Sequence, residues 1–437
     1  GNIKKQNQVR TGPEQVRVLT KRKVGIAALL VAVTFYTLGT GFQFFYQFLY
    51  TILLLLAIGF GWAWLNLRGL EIHLTRLSTR GQVGGYLDGQ LRVINRNRLP
   101  KSWLEVTEVS DLPGYAAGRV IGLVKDQSRT WRIETYLAKR GIYLTGQVEV
   151  TSQDPFGFFR LSRRFLAPQN YVVFPATIPL PDLDPRLANL PSDSRYTRRA
   201  THITPDSSSI REYNHGDSFR SIHWPYTARM NRLMVKEFDI GISADAWVLL
   251  DMYRGSHIAG DGVDNTEELV VTVAASLIAR ISELSIATGL AANAEASYVI
   301  RPDTSPSQLG RLMEALAAMQ AHGDLSLERF IYDLRPQLSR FNTLTIITPS
   351  RHTEWIPALR RLRRQGINVS VVYIDPVSFG ASPEQQSPLE LLHLGEIPTF
   401  TVKKGESLNE ALRAPVGSGA LLAGEPEASL TTIEANL

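Results

Sequence analysis

The sequence predicts a multi-domain protein: an N-terminal transmembrane helical hairpin, an all-β sandwich-like domain, then a doubly wound α/β domain. Three observations predict it. No charged side chain occurs from Val24 to Leu67, short β-like runs broken by Gly, Pro, Asn and Asp extend from about Gly69 to Pro175, and strand and helix patterns alternate from Ala246. A chain of 437 residues can hold two or three domains with real cores. It contains no Cys, which excludes disulfides, thiolate metal sites and a Cys nucleophile. A net charge of +6 suits anionic lipid or an acidic partner and is too mild to argue for nucleic acid.

Residues 1–23 are polar and basic, with Lys4, Lys5, Arg10, Arg17, Lys21, Arg22 and Lys23 against Glu14. As one helix, the uncharged run 24–67 would be about 66 Å long, roughly twice the hydrocarbon thickness of a bilayer. Two helices folded back at Gly39-Thr40-Gly41, about 24–40 and 43–67, fit better, with Trp62 and Trp64 at the second interface. A cleaved signal peptide would leave the second span unexplained. Lys21-Arg22-Lys23 precede the pair, Arg68, Arg76 and Arg80 follow it, and its tip is uncharged. The N-terminus and the soluble domains are therefore expected in the cytoplasm of a cell, behind a multi-pass anchor.

In the region 69–175 the runs Gln90–Ile94, Leu104–Val109, Thr130–Tyr136, Gly146–Thr151 and Tyr171–Phe174 read as short strands of a sandwich. Asp154–Arg160 reads as a turn carrying two core phenylalanines. Residues 176–240 form a connector with a dense motif, and Arg195, Arg198 and Arg199 are expected on a solvated surface. The α/β domain spans 241–400. Ala246–Asp251, Thr288–Ala292, Ser297–Arg301, Thr343–Thr348 and Ile367–Ile374 read as strands; Glu267–Leu284, Ser307–Gln320, Leu325–Leu338 and Glu354–Gln365 read as helices. After Pro376 the pattern is less regular, and 401–437 reads as a tail. The run Arg360-Arg361-Leu362-Arg363-Arg364 sits late in a helix with no aromatic platform, so it reads as a solvated face rather than a nucleic-acid site.

The connector motif runs from Ile210 to Phe238. It interleaves Arg211, Glu212, Asp217, Arg220, His223, Arg229, Lys236 and Glu237 with Tyr213, Phe219, Trp224, Tyr226 and Phe238. Buried aromatics would carry these charges into a low dielectric, where each needs a partner. Gly216-Asp217 reads as a turn and N-cap of a short helix that Pro225 stops, with Trp224 extended and Arg220 on the face of His223. A strand follows near Leu233–Phe238. Three roles stay open for this motif: an ion-pair and aromatic cluster joining two domains, a partner or peptide surface, and a catalytic site using His223 with Asp217 or Glu212.

The pattern Arg-Glu-Tyr-x-x-Gly-Asp-x-x-Arg-x-Ile-x-Trp-x-x-Thr-Ala-Arg, then Val-Lys-Glu-Phe, resembles the signature of the bacterial family called domain of unknown function fifty-eight (DUF 58). Lys139-Arg-Gly-Ile-Tyr and Asp154-Pro-Phe-Gly-Phe-Phe-Arg resemble it too. The resemblance implies a von Willebrand factor A-like α/β domain, which can hold Mg²⁺ through an Asp-x-Ser-x-Ser loop with a later Thr and Asp. Here that loop is Asp251-Met252-Tyr253-Arg254-Gly255. Both serines are replaced, and only Ser256 and Asp261 lie near enough to compensate, so Asp251 is a weak metal candidate and no cofactor is expected. It also implies a partner, a MoxR-type AAA+ ATPase, at times with a transglutaminase-like membrane protein, in assembly or maturation of other complexes. The expected function is therefore a membrane-anchored, non-enzymatic adaptor. The expected interaction residues are Arg211, Tyr213, Gly216, Asp217, Arg220, Ile222, His223, Trp224, Ala228, Arg229, Val235, Lys236 and Glu237. A hydrolase at His223 and a Mg²⁺-dependent binder at Asp251 are the alternatives.

Overall fold

The computed structural model describes residues 20–115, 118–184, 187, 209–213, 222–237, 245–258, 260, 264–340, 342–382 and 387–416. The chain divides into two compact units, 1–176 and 177–437.

The first unit opens with helices α1 (Thr20–Thr40) and α2 (Gln43–Leu67). Gly41 ends α1 in the left-handed conformation, φ 62°, where a side chain would be strained. Beside the turn, the Tyr36 and Phe45 rings meet edge-on at 4.8 Å and the Thr37 hydroxyl points at the Phe45 carbonyl, 3.4 Å away. Helix α2 is long and apolar enough to cross a membrane, whereas the apolar part of α1, Ala27–Gly39, is shorter.

Ten strands follow: β1 (Leu70–Arg76), β2 (Arg80–Gln82), β3 (Tyr86–Asn95), β4 (Lys101–Val109), β5 (Gly118–Leu123), β6 (Ser128–Tyr136), β7 (Gly141–Thr145), β8 (Gln147–Gln153), β9 (Arg160–Phe165) and β10 (Gln169–Phe174). They form sheets β1-β3-β6, β5-β4-β8-β9 and β2-β10-β7. The apolar residues of β3 and β4 alternate with polar ones, and the inward set of the first two sheets builds one core: Leu91 and Val93, Leu104 and Val106, Trp131 and Ile133, Val148 and Val150.

The end of α2 belongs to that core. Ala63 and Leu67 are buried in it. Asn66, also buried, donates through Nδ2 to the Ser102 carbonyl at 3.0 Å and to Ser152 Oγ at 3.1 Å. Lys101, 2% exposed, donates to the Leu65 carbonyl in the last turn of α2, which also accepts from the Arg68 N–H at 3.3 Å, and burial holds its ammonium below the usual lysine range. An uncharged helix thus enters the β region without a linker. Asn66→Ala strands the Ser102 carbonyl and is expected to lower stability by about 1–2 kcal/mol, read from denaturant unfolding in detergent.

A second polar cluster lies under β4. Glu108, whose side chain is fully buried, pairs with Arg76, accepts from the Tyr115 hydroxyl, and accepts from the Gly146 N–H at 2.7 Å. Burial, with the neighbouring carboxylate second, pushes the Tyr115 phenol far above its ordinary value.

The second unit contains β11 (Ser209–Glu212), α3 (Trp224–Met230) and β12 (Met234–Glu237). An α/β sheet follows, with β13 (Ala246–Leu250), α4 (Thr266–Glu283), β14 (Thr288–Asn293), β15 (Ser297–Asp303), α5 (Gln308–Ala318), α6 (Leu327–Leu334), β16 (Thr343–Thr348), α7 (Ile356–Arg364) and β17 (Asn368–Ile374). These elements lie where the sequence periods place them. The expectation of irregularity after Pro376 is overturned: α8 (Pro388–Leu394), β18 (Thr399–Val402) and α9 (Leu408–Ala411) complete the unit, and Leu412 is fully buried. These segments are too short for a period to stand out in the sequence. The end of the tail, 417–437, lies outside the described residues.

The sheet order is β15-β14-β13-β16-β17-β18, parallel except for the edge strand β15. Trp247 and Leu249 share a core with residues of α6, α7 and α8. Helix α4 also packs on β13 but contributes nothing to that cluster, so it covers the opposite face. The arginine run on α7 is exposed around the buried Leu362. Arg360 donates to the Leu391 carbonyl, and Arg363 to those of Gly395 and Glu396, so these cations cap the end of α8.

Candidate functional site

The connector motif folds as a small module inside the second unit. Strands β11 and β12 pair antiparallel, Arg211 opposite Val235, and the Tyr213 N–H extends the ladder to the Leu233 carbonyl at 2.9 Å. On the other edge of β12, Ile222 bridges Val235, and the His223 N–H reaches the Met234 carbonyl at 2.8 Å. Ile222 and Val235 are buried, 5% and 3% exposed, and anchor the module.

Helix α3 begins where the sequence suggested a stop. Pro225 lies in its first turn, and Trp224 is helical rather than extended. The physical reason is that the first N–H groups of a helix have no intrahelical partner, so the N–H missing from proline costs nothing there. His223 is the N-cap: its Nδ1 accepts from the Tyr226 N–H at 3.2 Å, and its ring meets Tyr226 edge-on. Thr227 Oγ1 accepts from the Met234 N–H at 3.0 Å, and Asn231 closes the helix in the left-handed conformation, φ 52°. What the module presents outward is Trp224, 63% exposed, beside exposed Ala228 and Arg229. Glu212 lies 3.8 Å from Arg232 in an exposed pair. Gly216, Asp217, Phe219 and Arg220 lie outside the described residues, as do Phe238 and Arg195, Arg198 and Arg199; of Arg211, Lys236 and Glu237 only the strand positions are described.

The second place of interest is the carboxyl end of β13, where the chain passes to β14 on one side and β16 on the other. That is the switch point at which open α/β sheets form ligand crevices. Asp251 stands there, fully buried. Its Oδ2 accepts from the Thr348 hydroxyl at 2.8 Å; its Oδ1 accepts from the Tyr253 N–H at 3.1 Å and Asn293 Nδ2 at 3.3 Å. Asn293 also accepts from the Met252 N–H at 2.6 Å and donates to the Leu325 carbonyl at 2.8 Å. His257 Nε2 meets the Asp251 carbonyl at 2.7 Å, and its Nδ1 meets Thr266 Oγ1 at 3.2 Å. Gly323 closes the site: a Cβ there would stand 1.7 Å from the Asn293 carbonyl oxygen, so only glycine permits the backbone to pass. Gly323→Ala is accordingly expected to yield little folded protein, measured as soluble yield beside wild type.

A divalent cation needs oxygen ligands with free lone pairs. This donor set does not fit one. The Asp251 carboxylate accepts from three donors of the protein itself, Tyr253 and Gly255 stand where the expected metal loop would carry serines, and Arg254 pairs with Asp324 at the surface. Ser256 is buried, and Asp261 lies outside the described residues. No group of three or more His, Cys, Asp or Glu side chains suited to a metal occurs among the described residues. Sequence reasoning found Asp251 but missed Asn293, Gly323, His257 and Thr266, since nothing local to each marks it as a neighbour of Asp251.

The Asp154–Arg160 segment also departs from expectation. Phe159 packs against the first unit's core, but Phe156 is 51% exposed and stacks on half-buried Phe158, ring centroids 5.8 Å apart. Asp154 explains why: its own carboxylate, not apolar packing, closes the turn.

Residues 209–378 match the family model described as "Protein of unknown function DUF58". The "Uncharacterized protein YeaD" of Bacillus subtilis (strain 168) is 32% identical over 90 residues, which is 21% of this chain; the chain spans about a fifth of that relative's length. Among solved structures, a β-glucosidase from Listeria innocua aligns with 24% of this chain and 16% of its own at 13% identity and TM-score 0.17. The C-terminal domain of wzt aligns with 25% of this chain and 75% of its own at 12% identity and TM-score 0.20. Neither superposition bears on the fold or the function.

Proposed function

We propose that this protein is a membrane-anchored, non-enzymatic adaptor of the DUF58 kind, holding an ATPase of the MoxR-type AAA+ class at the inner face of a bacterial membrane. In this reading α1 and α2 cross the bilayer as a hairpin and the soluble units lie in the cytoplasm. The α/β unit is von Willebrand factor A-like, with Asp251 a structural residue in place of a metal ligand. The observation that carries the reading is the Trp224 helix. Trp224 stays 63% exposed on a short helix pinned by the His223 cap, the Thr227 bond and the buried Ile222–Val235 pair. Large aromatics held rigidly in the open are the usual anchors of protein interfaces. The use of His223 Nδ1 as a helix cap weighs against a hydrolase built on it, and the donor set at Asp251 weighs against cation-dependent binding.

The test is a mild-detergent pull-down from native membranes, wild type beside Trp224→Ala. Recovery of an AAA+ ATPase with wild type, and a loss of about tenfold or more with the variant, is the expected result. Equal recovery by both would remove α3 from the contact. Absence of any ATPase under every nucleotide condition would overturn the adaptor.

A further inference from the structure

Helix α2 meets the β region at a fixed height. The Gly59 backbone lies against the Asp154 carboxylate, so close that a Cβ there would stand 3.2 Å from Oδ2. One residue on, the Phe60 ring meets Phe159 edge-on at 5.6 Å. The turn between β8 and β9 is therefore locked at the level of residues 59 and 60. From Gln43 to Ile58 the helix rises only about 24 Å, less than the roughly 30 Å of a hydrocarbon core. A bilayer crossed by α2 from Gln43 onward must then reach as far as the turn. The aromatic residues agree: Trp62 is 41% exposed one turn further along, and Trp64 lies under the Arg68 guanidinium at 3.5 Å, an arrangement suited to the headgroup layer.

The turn is built to present apolar groups at that height. The Asp154 carboxylate accepts from the Phe156 N–H at 3.0 Å and the Phe159 N–H at 2.6 Å, and Gly157 supplies the positive φ of 74°. This bracing aims Phe159 inward and leaves Phe156, 51% exposed, and Phe158 as a stacked pair outside that core. We propose that the Phe156–Phe158 turn inserts into the interfacial layer of the bilayer that α2 crosses, so that the β region is seated on the lipid surface rather than tethered above it. The proposal rests on the reading of α2 as a membrane span. Seating would restrict the orientation of the β region relative to the membrane with no third protein involved.

The Cys-free chain allows single-cysteine labelling of the 437-residue chain. Phe156→Cys, Leu53→Cys and Val109→Cys are each labelled with an environment-sensitive nitrobenzoxadiazole probe and reconstituted into phosphatidylcholine–phosphatidylglycerol vesicles. Lipids carrying a nitroxide either near the headgroup or deep in the acyl chain serve as quenchers. Leu53 is exposed midway along α2, and Val109 is exposed at the end of β4 remote from Lys101. The expected result is deep quenching at 53, shallow quenching with a blue shift at 156, and neither at 109. Quenching at 53 with a probe at 156 that behaves as at 109 would overturn the proposal and leave the span intact. Absence of quenching at both 53 and 156 would overturn the span and the proposal together.

Discussion

Asp251→Ala is expected to lower the stability of the α/β unit by about 3 kcal/mol. The side chain is fully buried, and its removal strands the Thr348 hydroxyl, an Asn293 N–H and the Tyr253 N–H at once. A buried donor without an acceptor costs more than the bond itself contributes. Asp251→Asn should cost less. One oxygen remains for the Oδ1 donors, and the Thr348 hydroxyl can rotate to accept from the new amide. Mg²⁺ should leave the melting temperature of wild type and of both variants unchanged, since a ligand stabilises only by binding the folded state. Thermal unfolding with Mg²⁺ or with chelator checks both statements. A Mg²⁺-dependent rise in wild type that disappears in Asp251→Ala would restore the cation-binding alternative.

Glu108→Ala is expected to cost the β region about 3–5 kcal/mol, because it leaves the nearly buried Arg76 guanidinium without its carboxylate. Glu108→Gln keeps the shape and the acceptor oxygen and should cost less. The cluster also predicts an alkaline limit. The folded state holds the Tyr115 phenol protonated, above its ordinary value. Its contribution is therefore complete below about pH 10, the unfolded value, and declines as the pH rises further toward the folded one. Tyr115→Phe cannot ionise, so its stability should change less with pH above that point. Denaturant unfolding at neutral and alkaline pH separates Tyr115→Phe from wild type, and an unchanged alkaline slope in Tyr115→Phe would remove the phenol from the account.

Much of the architecture is legible in the sequence. The uncharged run placed α1 and α2 to within a few residues, and β16 matches its expected span Thr343–Thr348 end to end. A buried strand or an amphipathic helix writes its environment into its own period, so a local reading finds it. The sites were less legible. Asp251 was visible at the end of an apolar strand, but Asn293 lies 42 residues away and carries no local mark of the contact.

Pro225 shows the same division at short range. A proline announces a boundary but not which side of it is helical, and the His223 cap and the Thr227–Met234 bond decided that. Phe156 and Phe159 are chemically identical and three residues apart, yet one faces outward and the other the core. The sequence by itself determined the longer elements, their order and the apolar span, because these follow from periods and lengths along the chain, and it left the shortest strands and helices unmarked. Only the tertiary structure decided which polar groups meet, which aromatics are left exposed, and that α2 ends inside the β region. Those outcomes depend on which distant segments arrive at the same place, and packing and hydrogen-bond satisfaction are settled there.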